Sequence, residues 1–287
     1  MKKSIQLLII DPQNDFCDVP ADWRPRDMAT GQTVAPALPV AGAHADMLRV
    51  AQLITDGAAG ITAIAITLDS HHRLDIAHPT FWKTAAGSEV VPFTAITAAQ
   101  VRGGAYQPRD PAALSRALAY LDELEQRDRY TLMVWPVHCE IGSWGHNVHA
   151  AVKQAYNRWE DGCLKVVQKI NKGSNPWTEH YSAMQAEVPA DDDPATQMNM
   201  DLIRQLDQAD QIIIAGEASS HCVRATTEHI VENLPSGEPS KLVLLTDCMS
   251  PVGGFDAQHI AFLNAMRHRG VLLSSSADIL PQLIANS

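Results

Sequence analysis

The chain has 287 residues, of which 46% are hydrophobic and 19% are charged. This composition supports one sizeable globular core and excludes a disordered protein. The 33 acidic and 22 basic residues give a formal net charge of −11, which argues against nucleic-acid binding because contact with a phosphate backbone needs a surplus of lysine and arginine. No apolar run approaches the roughly 18 residues of a membrane span, so we expect no membrane partner.

The predicted strands are short, β-branched apolar runs, and their near-continuous hydrophobicity is typical of parallel strands buried on both faces. In chain order they are 5–10, 61–67, 132–135, 164–170, 211–215, 242–246 and 271–274. The first run follows a short basic start and leads into Asp11 without a small-residue cleavage site, which predicts a strand and not a secretory signal.

Helical patterns lie between these strands. Their apolar stripes are Met47, Val50, Ala51 and Ile54; Val148, Val152 and Tyr156; Val223, Ile230, Val231 and Leu234; and Ile260, Leu263 and Met266. Alternating strands and helices predict an α/β fold, a three-layer open sheet of about six mostly parallel strands with helices on both faces.

Two stretches do not fit the alternation of strands and helices. Residues 17–36 are rich in proline, aspartate and arginine, and residues 83–130 add a loop and a helix capped at Asp110-Pro111. We predict a single domain over residues 1–287, with insertions at about 17–36 and 83–130 packed on its surface. A lid or a subunit contact is the alternative role for these insertions.

Polar side chains follow several of the predicted strands. Four of them are followed, within four residues, by Asp11, by Asp69 with His71, by His138 and by Lys172. Ligands bind beyond the carboxyl ends of the strands in such sheets, so these residues are predicted to meet at one edge. Taken singly, Asp11 could instead cap a turn, and Lys172 could be solvated.

The five cysteines, at positions 17, 139, 163, 222 and 248, are odd in number, far apart and without a Cys-x-x-Cys pair. This usage indicates reduced thiols and a cytoplasmic protein. Cys222 is the candidate nucleophile, because it follows Ser219-Ser220 in the first turn of a helix, where the N-terminus favours a thiolate. The backbone N–H groups of Ala218 and Cys222 are the candidate oxyanion donors. A small buried cysteine is the alternative for Cys222, and the other four are taken as structural.

Asp69, His71 and His138 form a candidate metal site. Asp69 and His71 are two residues apart on an extended segment and point the same way, and His138 adds a second imidazole. Two imidazoles and a carboxylate are typical of an open transition-metal site. We therefore expect one divalent ion per chain, Zn²⁺ first, with Mn²⁺ or Fe²⁺ as alternatives.

Five sequence blocks, spread in order from residue 10 to residue 226, resemble the motifs of the isochorismatase-like cysteine hydrolases, and most closely those of nicotinamidases. They are residues 10–16, similar to D-x-Q-x-D-F; 69–71 and 78–81, similar to D-W-H-P…H-x-S-F; 135–139, similar to W-P-x-H-C; 172–173 and 179–183, similar to K-G…E-x-Y-S-A; and 216–226, similar to G-x-A-T-x-x-C-V-x-x-T. The chain departs from the pattern at Ser70, where tryptophan is frequent, at Ser219, where threonine is frequent, and at the two insertions.

This resemblance implies a triad, a metal site and an aromatic cage for the substrate. The triad is Asp11, Lys172 and Cys222; the metal ligands are Asp69, His71 and His138; the cage is Phe16, Trp135 and Tyr181. The resemblance also implies a six-stranded parallel sheet, a homo-oligomer and a cis peptide bond at Glu217–Ala218.

The function that the residues and the resemblance together predict is hydrolysis of nicotinamide, and of pyrazinamide, to the acid and ammonia through a cysteine thioester. The partner is then a small-molecule amide, with no nucleic acid. Three alternatives are a related amidase acting on a ureidoacrylate-, maleamate- or carbamoyl-sarcosine-type amide, an iron oxygenase using Asp69, His71 and His138 as a facial triad, and a non-catalytic relative.

Overall fold

A computed structural model describes residues 2–287 of the chain. The strands are β1 (Ile5–Ile10), β2 (Ala63–Asp69), β3 (Trp82–Thr84), β4 (Thr94–Ile96), β5 (Tyr106–Pro108), β6 (Leu132–Val134), β7 (Gln168–Lys172), β8 (Gln211–Gly216), β9 (Leu242–Leu245) and β10 (Leu272–Ser274). The α-helices are α1 (Ala43–Asp56), α2 (Ala98–Arg102), α3 (Leu114–Arg127), α4 (Ala150–Cys163), α5 (Met200–Asp207), α6 (Cys222–Asn233), α7 (Asp256–His268) and α8 (Ser276–Ala285).

Six parallel strands form the central sheet, in the order β10-β9-β8-β1-β2-β7. β1 and β8 lie at its centre and are almost entirely buried, as strands covered on both faces must be. Helices flank this sheet: α1 packs against α4 and α8, and α6 packs against α5 and α7. The predicted α/β architecture is thereby confirmed. No helix among residues 2–287 combines the length and apolarity that a membrane crossing needs.

The predicted run 61–67 is shifted by two residues, to Ala63–Asp69, and two other predicted strands differ more from the observed ones. The run 132–135 is not a strand of the central sheet, because β6 pairs antiparallel with β4 of the second insertion. The run 164–170 was too long at its start: Leu164 ends α4 in a left-handed conformation, and Leu164 and Val166 are 90% and 86% exposed. Their apolar side chains therefore belong to a surface turn, and Lys172 is the last residue of β7 instead of following it.

The second insertion has a small apolar core of its own. Two antiparallel strand pairs, β3 with β5 and β4 with β6, pack with α2 and α3 around buried side chains that include Trp82, Ile96 and Leu121. The predicted cap is present, since the Asp110 carboxylate accepts a hydrogen bond from the Ala112 N–H ahead of α3. The first insertion is mostly exposed, with Trp23 packed against the rings of His44 and His149.

The parallel arrangement brings four carboxyl ends to one edge of the sheet. β2 ends at Asp69, β7 ends at Lys172, Asp11 follows β1 directly, and the loop after β8 leads to Cys222 at the start of α6. His138 reaches the same edge from β6, outside the central sheet.

Candidate active site

Lys172 joins the residues of the predicted triad. Its Nζ lies 3.0 Å from Asp11 Oδ2 and 3.6 Å from Cys222 Sγ. It also donates to Asp69 Oδ1 at 3.0 Å and to the His180 carbonyl at 2.9 Å. All of these side chains are buried, so the structure brings the three together in a space largely closed to water.

Asp11 is held by the neighbouring strand through one carboxylate oxygen, and its other oxygen faces Lys172. The Thr67 hydroxyl donates to Asp11 Oδ1 at 2.5 Å and accepts from the Asp11 N–H at 3.0 Å. Asp11 Oδ2 has no well-aligned hydrogen bond, although the Lys172 ammonium is near. This oxygen is therefore available to accept a proton from the thiol.

Burial of Cys222 favours a protonated thiol, whereas its place at a helix N-terminus favours a thiolate. Burial raises the pKa of Cys222 well above its usual range; Lys172 opposes this shift, while Asp11 and Asp69 add to it. Burial also raises the pKa of Asp11, against the lowering effect of Lys172. A raised pKa makes Asp11 a stronger base, so the geometry and the charges both suit proton transfer from Cys222 to Asp11.

Ala218 and Cys222, the two candidate oxyanion donors, line a common cavity. The Glu217–Ala218 peptide bond is cis, as expected, and α6 begins at Cys222. Among residues 2–287, neither the Ala218 N–H nor the Cys222 N–H donates to another backbone group. Both are thus free to hydrogen-bond an oxygen next to Sγ.

The predicted metal ligands converge on Asp69. Its Oδ2 lies 3.1 Å from His71 Nε2 and 3.4 Å from His138 Nε2. The other nitrogen of each ring is held, His71 Nδ1 by Asp75 Oδ2 at 3.0 Å and His138 Nδ1 by the Pro136 carbonyl at 2.8 Å. Such outer contacts orient imidazole ligands in metal sites.

Charge balance in this cluster depends on the same contacts. Burial would raise the pKa of Asp69, but His71 and Lys172 lower it well below its usual range. Burial would lower the pKa of His71, but the carboxylates of Asp69 and Asp75 raise it well above its usual range. A cation could replace the proton of His71, because the surrounding carboxylates already stabilise a positive charge at this position.

His78 is a further donor to which the sequence analysis gave no role. Donor atoms of His71, His78 and His138 all lie within 4.8 Å of one another, and His78 Nε2 is 3.3 Å from His138 Nδ1. Burial, with His138 and His71 nearby, lowers the pKa of His78 to about 2, so its ring is neutral and able to ligate. Its buried Nδ1 has no hydrogen-bond partner. One carboxylate with two or three imidazoles suits Zn²⁺, and these residues therefore fit the expected ion. The sequence signal that could have identified His78 was its position in the second of the five blocks.

A cavity next to Cys222 contains the three predicted aromatic residues. Phe16, Trp135 and Tyr181 line it together with Asp69 and His138. The Trp135 indole N–H donates to the Tyr181 hydroxyl at 3.0 Å, which fixes the two rings against each other. The cavity is thus lined by an apolar wall, by the Cys222 thiol and by two of the candidate metal ligands.

Two other side chains of this cavity were not singled out from the sequence. Glu179 has a buried Oε2 without a hydrogen-bond partner, and His221 contacts the rings of Tyr181 and Trp135, each at a centroid distance of 5.2 Å. Glu179 stood in the fourth sequence block, and His221 directly precedes Cys222. Their positions in the motifs were visible, but nothing in the sequence alone indicated a role in the cavity wall.

Solved structures of nicotinamidases and pyrazinamidases share this fold. A nicotinamidase/pyrazinamidase from Acinetobacter baumanii is 18% identical, with a TM-score of 0.61 over 96% of this chain and 98% of that one. The yeast nicotinamidase bound to the inhibitor nicotinaldehyde is 17% identical, with a TM-score of 0.61 over 94% and 99%. The pyrazinamidase of Pyrococcus horikoshii in complex with zinc is 17% identical, with a TM-score of 0.52 over 95% and 99%.

Sequence comparison gives no such match: no family model and no curated protein sequence matches the chain. At 17–18% identity the structural likeness is one of fold. The chain shares the fold of these nicotinamidases and pyrazinamidases, which confirms the predicted resemblance at the level of the fold.

Proposed function

We propose that the chain is a metal-dependent cysteine amidohydrolase that converts nicotinamide, and pyrazinamide, to the acid and ammonia. One observation carries the proposal: Asp11, Lys172 and Cys222 are in contact beside a cavity walled by three aromatic rings. The fold shared with nicotinamidases and pyrazinamidases supports it.

In the first half of the reaction, Asp11 Oδ2 takes the thiol proton while Cys222 Sγ attacks the carboxamide carbon. The carboxamide oxygen gains negative charge and is stabilised by the N–H groups of Ala218 and Cys222. The carbon–nitrogen bond then breaks, Asp11 gives its proton to the leaving nitrogen, and ammonia departs from a Cys222 thioester.

In the second half, water attacks the thioester as Asp11 removes one of its protons. The carbon–sulfur bond breaks, the acid is released, and the proton returns from Asp11 to Cys222 Sγ. Lys172 remains charged throughout, because burial, which would lower its pKa, is outweighed by Asp11 and Asp69, which raise that pKa well above its usual range. Its ammonium stabilises the carboxylate form of Asp11 between proton transfers.

Asp69, His71 and His138 would hold the metal ion, with His78 as a further donor. When bound, the ion would supply a Lewis acid that attracts a ring nitrogen and draws electron density from the amide. Phe16, Trp135 and Tyr181 would stack against a flat ring, since aromatic pairs favour stacked and edge-to-face contacts. Zinc is the proposed ion, in keeping with the donor set and with the zinc complex of the Pyrococcus pyrazinamidase.

Loss of metal is the expected result of replacing His138 with alanine. Bound zinc, measured by elemental analysis after reloading and dialysis, should fall from about one ion per chain to a small fraction, and the affinity by roughly 100-fold or more, because one of three ligands is lost. His78→Ala should weaken binding less.

Since binding displaces the His71 proton, the affinity of the unmodified protein should increase as the pH rises, by up to about tenfold per pH unit.

His268→Ala is the matched control for this measurement, because His268 is exposed and bonds only the Asn264 carbonyl of its own helix. It should retain full zinc binding. Unchanged zinc content in His138→Ala would contradict the assigned ligand set.

Selectivity for ring amides is the test of the substrate. With zinc-loaded protein, kcat/KM from ammonia release should be at least ~100-fold higher for nicotinamide and pyrazinamide than for maleamate or ureido amides. Only a nitrogen-bearing ring can contact both the aromatic wall and the ion, and losing these contacts costs roughly 3 kcal/mol in the transition state. A higher value for a non-aromatic amide would refute the nicotinamidase assignment and leave only the cysteine amidase.

A further inference from the structure

The second insertion, residues 83–130, reaches the wall of the active-site cavity. Its strand β4 pairs with β6 in the register Thr94↔Val134, Ala95↔Met133 and Ile96↔Leu132. Trp135, which lines the cavity, is the next residue after β6. The insertion therefore fixes the backbone from which this indole projects.

Phe93, just before β4, adds a side-chain contact on the same wall. Its N–H donates to the Val134 carbonyl at 2.6 Å, and its ring meets Trp135 edge to face at a centroid distance of 5.8 Å and an angle of 86°. Phe93 is 54% exposed, whereas Trp135 is only 3% exposed.

Tyr130, at the other end of the insertion, supports two further residues of the cavity wall. Its ring lies 4.7 Å from the ring of Tyr181 and 6.2 Å from that of His221, nearly parallel to the latter at 23°. Both of these residues line the cavity beside Cys222. Tyr130 also packs against the central core and against the separate core of the insertion. It thus connects the insertion to the substrate wall.

The cavity has little freedom to widen without a shift of these supported residues. Phe16, Trp135, Tyr181 and His221 are each at most 7% exposed. Trp135 and Tyr181 are hydrogen-bonded to each other. A larger ring system that displaces Tyr181 or His221 towards Tyr130 would meet a ring that is backed by the core of the insertion.

We propose that the second insertion sets the substrate size of the cavity, with Tyr130 as the positioning residue that holds Tyr181 and His221 in place. The cavity then accepts single-ring carboxamides and excludes fused bicyclic ones. This inference rests on the proposed amidase function for its choice of substrate class, but the positioning role of Tyr130 does not depend on turnover.

The Tyr130 ring, and not its hydroxyl, is expected to carry this role, because the buried hydroxyl has no hydrogen-bond partner among residues 2–287. Tyr130→Phe should therefore behave like the unmodified protein, whereas Tyr130→Ala should raise KM for nicotinamide about tenfold with little change in kcat. The ratio of kcat/KM for quinoline-3-carboxamide to that for nicotinamide should rise at least about tenfold, the scale of discrimination by a close-fitting apolar wall.

Tyr106→Ala is the matched control. Tyr106 is a partly buried tyrosine packed on the core of the insertion, and it has no ring contact with the cavity wall. The same truncation there should leave KM and the substrate ratio unchanged. An equal change in Tyr106→Ala and Tyr130→Ala, or an unchanged ratio in Tyr130→Ala, would overturn the proposal.

A second measurement separates this inference from the proposed function. In a Cys163→Ala background, which removes the exposed thiol, the alkylation rate of Cys222 is followed by mass spectrometry with iodoacetamide and with its N-naphthyl derivative. Tyr130→Ala should increase the rate for the bulky reagent relative to the small one by about tenfold, and Tyr130→Phe should not. If the unmodified protein hydrolyses no carboxamide, the proposed function fails, and this ratio still decides the role of Tyr130.

Discussion

Replacing Cys222 with alanine is expected to lower kcat for nicotinamide by at least roughly 10⁴-fold while the protein stays folded. The thioester cannot form without Sγ, and the loss of a nucleophile that acts together with its base typically removes nearly all of the chemical rate enhancement. Ammonia release on zinc-loaded protein measures the effect, and circular dichroism establishes the fold.

Cys248→Ala is the control, since Cys248 is also buried and lies outside the cavity lining. It should keep nearly full activity.

Alkylation gives a second check of the nucleophile. The place of Cys222 at a helix N-terminus predicted a reactive thiol, but Cys163 is the exposed thiol and Cys222 is only 6% exposed. Reagents should therefore modify Cys163 as well, and loss of activity should follow the modification of Cys222 only. Substantial turnover by Cys222→Ala would exclude the thioester route.

Asp11→Asn is expected to lower kcat by about 10³-fold, within the range that general acid–base catalysis contributes. Asparagine keeps the shape of the side chain and can still accept the hydrogen bond from Thr67, but it cannot take the thiol proton. Because burial raises the pKa of Cys222 well above its usual range, the thiol depends on this base at neutral pH. The kcat of Asp11→Asn should therefore increase with pH more steeply than that of the unmodified protein.

Asp207→Asn provides a matched control, because Asp207 also pairs with a lysine, Lys241, at 3.3 Å and lies far from the site in the fold. That substitution should leave kcat and its pH profile unchanged. If Asp11→Asn retains full activity, another group takes the proton and the assignment of the base is wrong.

The central sheet was largely predictable, because buried parallel strands are recognisable as continuous apolar runs. The run 5–10 agrees with β1, and 211–215 agrees with β8 to within one residue. Prediction failed where an apolar run had another cause. Leu164 and Val166 are apolar but exposed in a turn after α4, and 132–135 is apolar because it packs in the insertion.

By itself, the sequence determined the fold class, the residue types of the site and the positions of Asp11, Asp69 and Lys172 at one edge of the sheet. It could do so because strand order along the chain and parallel pairing force the ends of β1, β2 and β7 together. Only the tertiary structure decided how the remaining groups meet them. His138 reaches the site from the end of β6, which lies outside the central sheet. His78 lies in the long loop after β2 and approaches His138. Tyr130 of the insertion contacts the ring of Tyr181. These contacts depend on how the loops and the core of the second insertion pack against the sheet. Such packing cannot be read from the hydrophobic periodicity of the sequence. The protonation of Cys222 likewise depends on its burial and on the neighbouring carboxylates of Asp11 and Asp69, which become visible only in the folded protein.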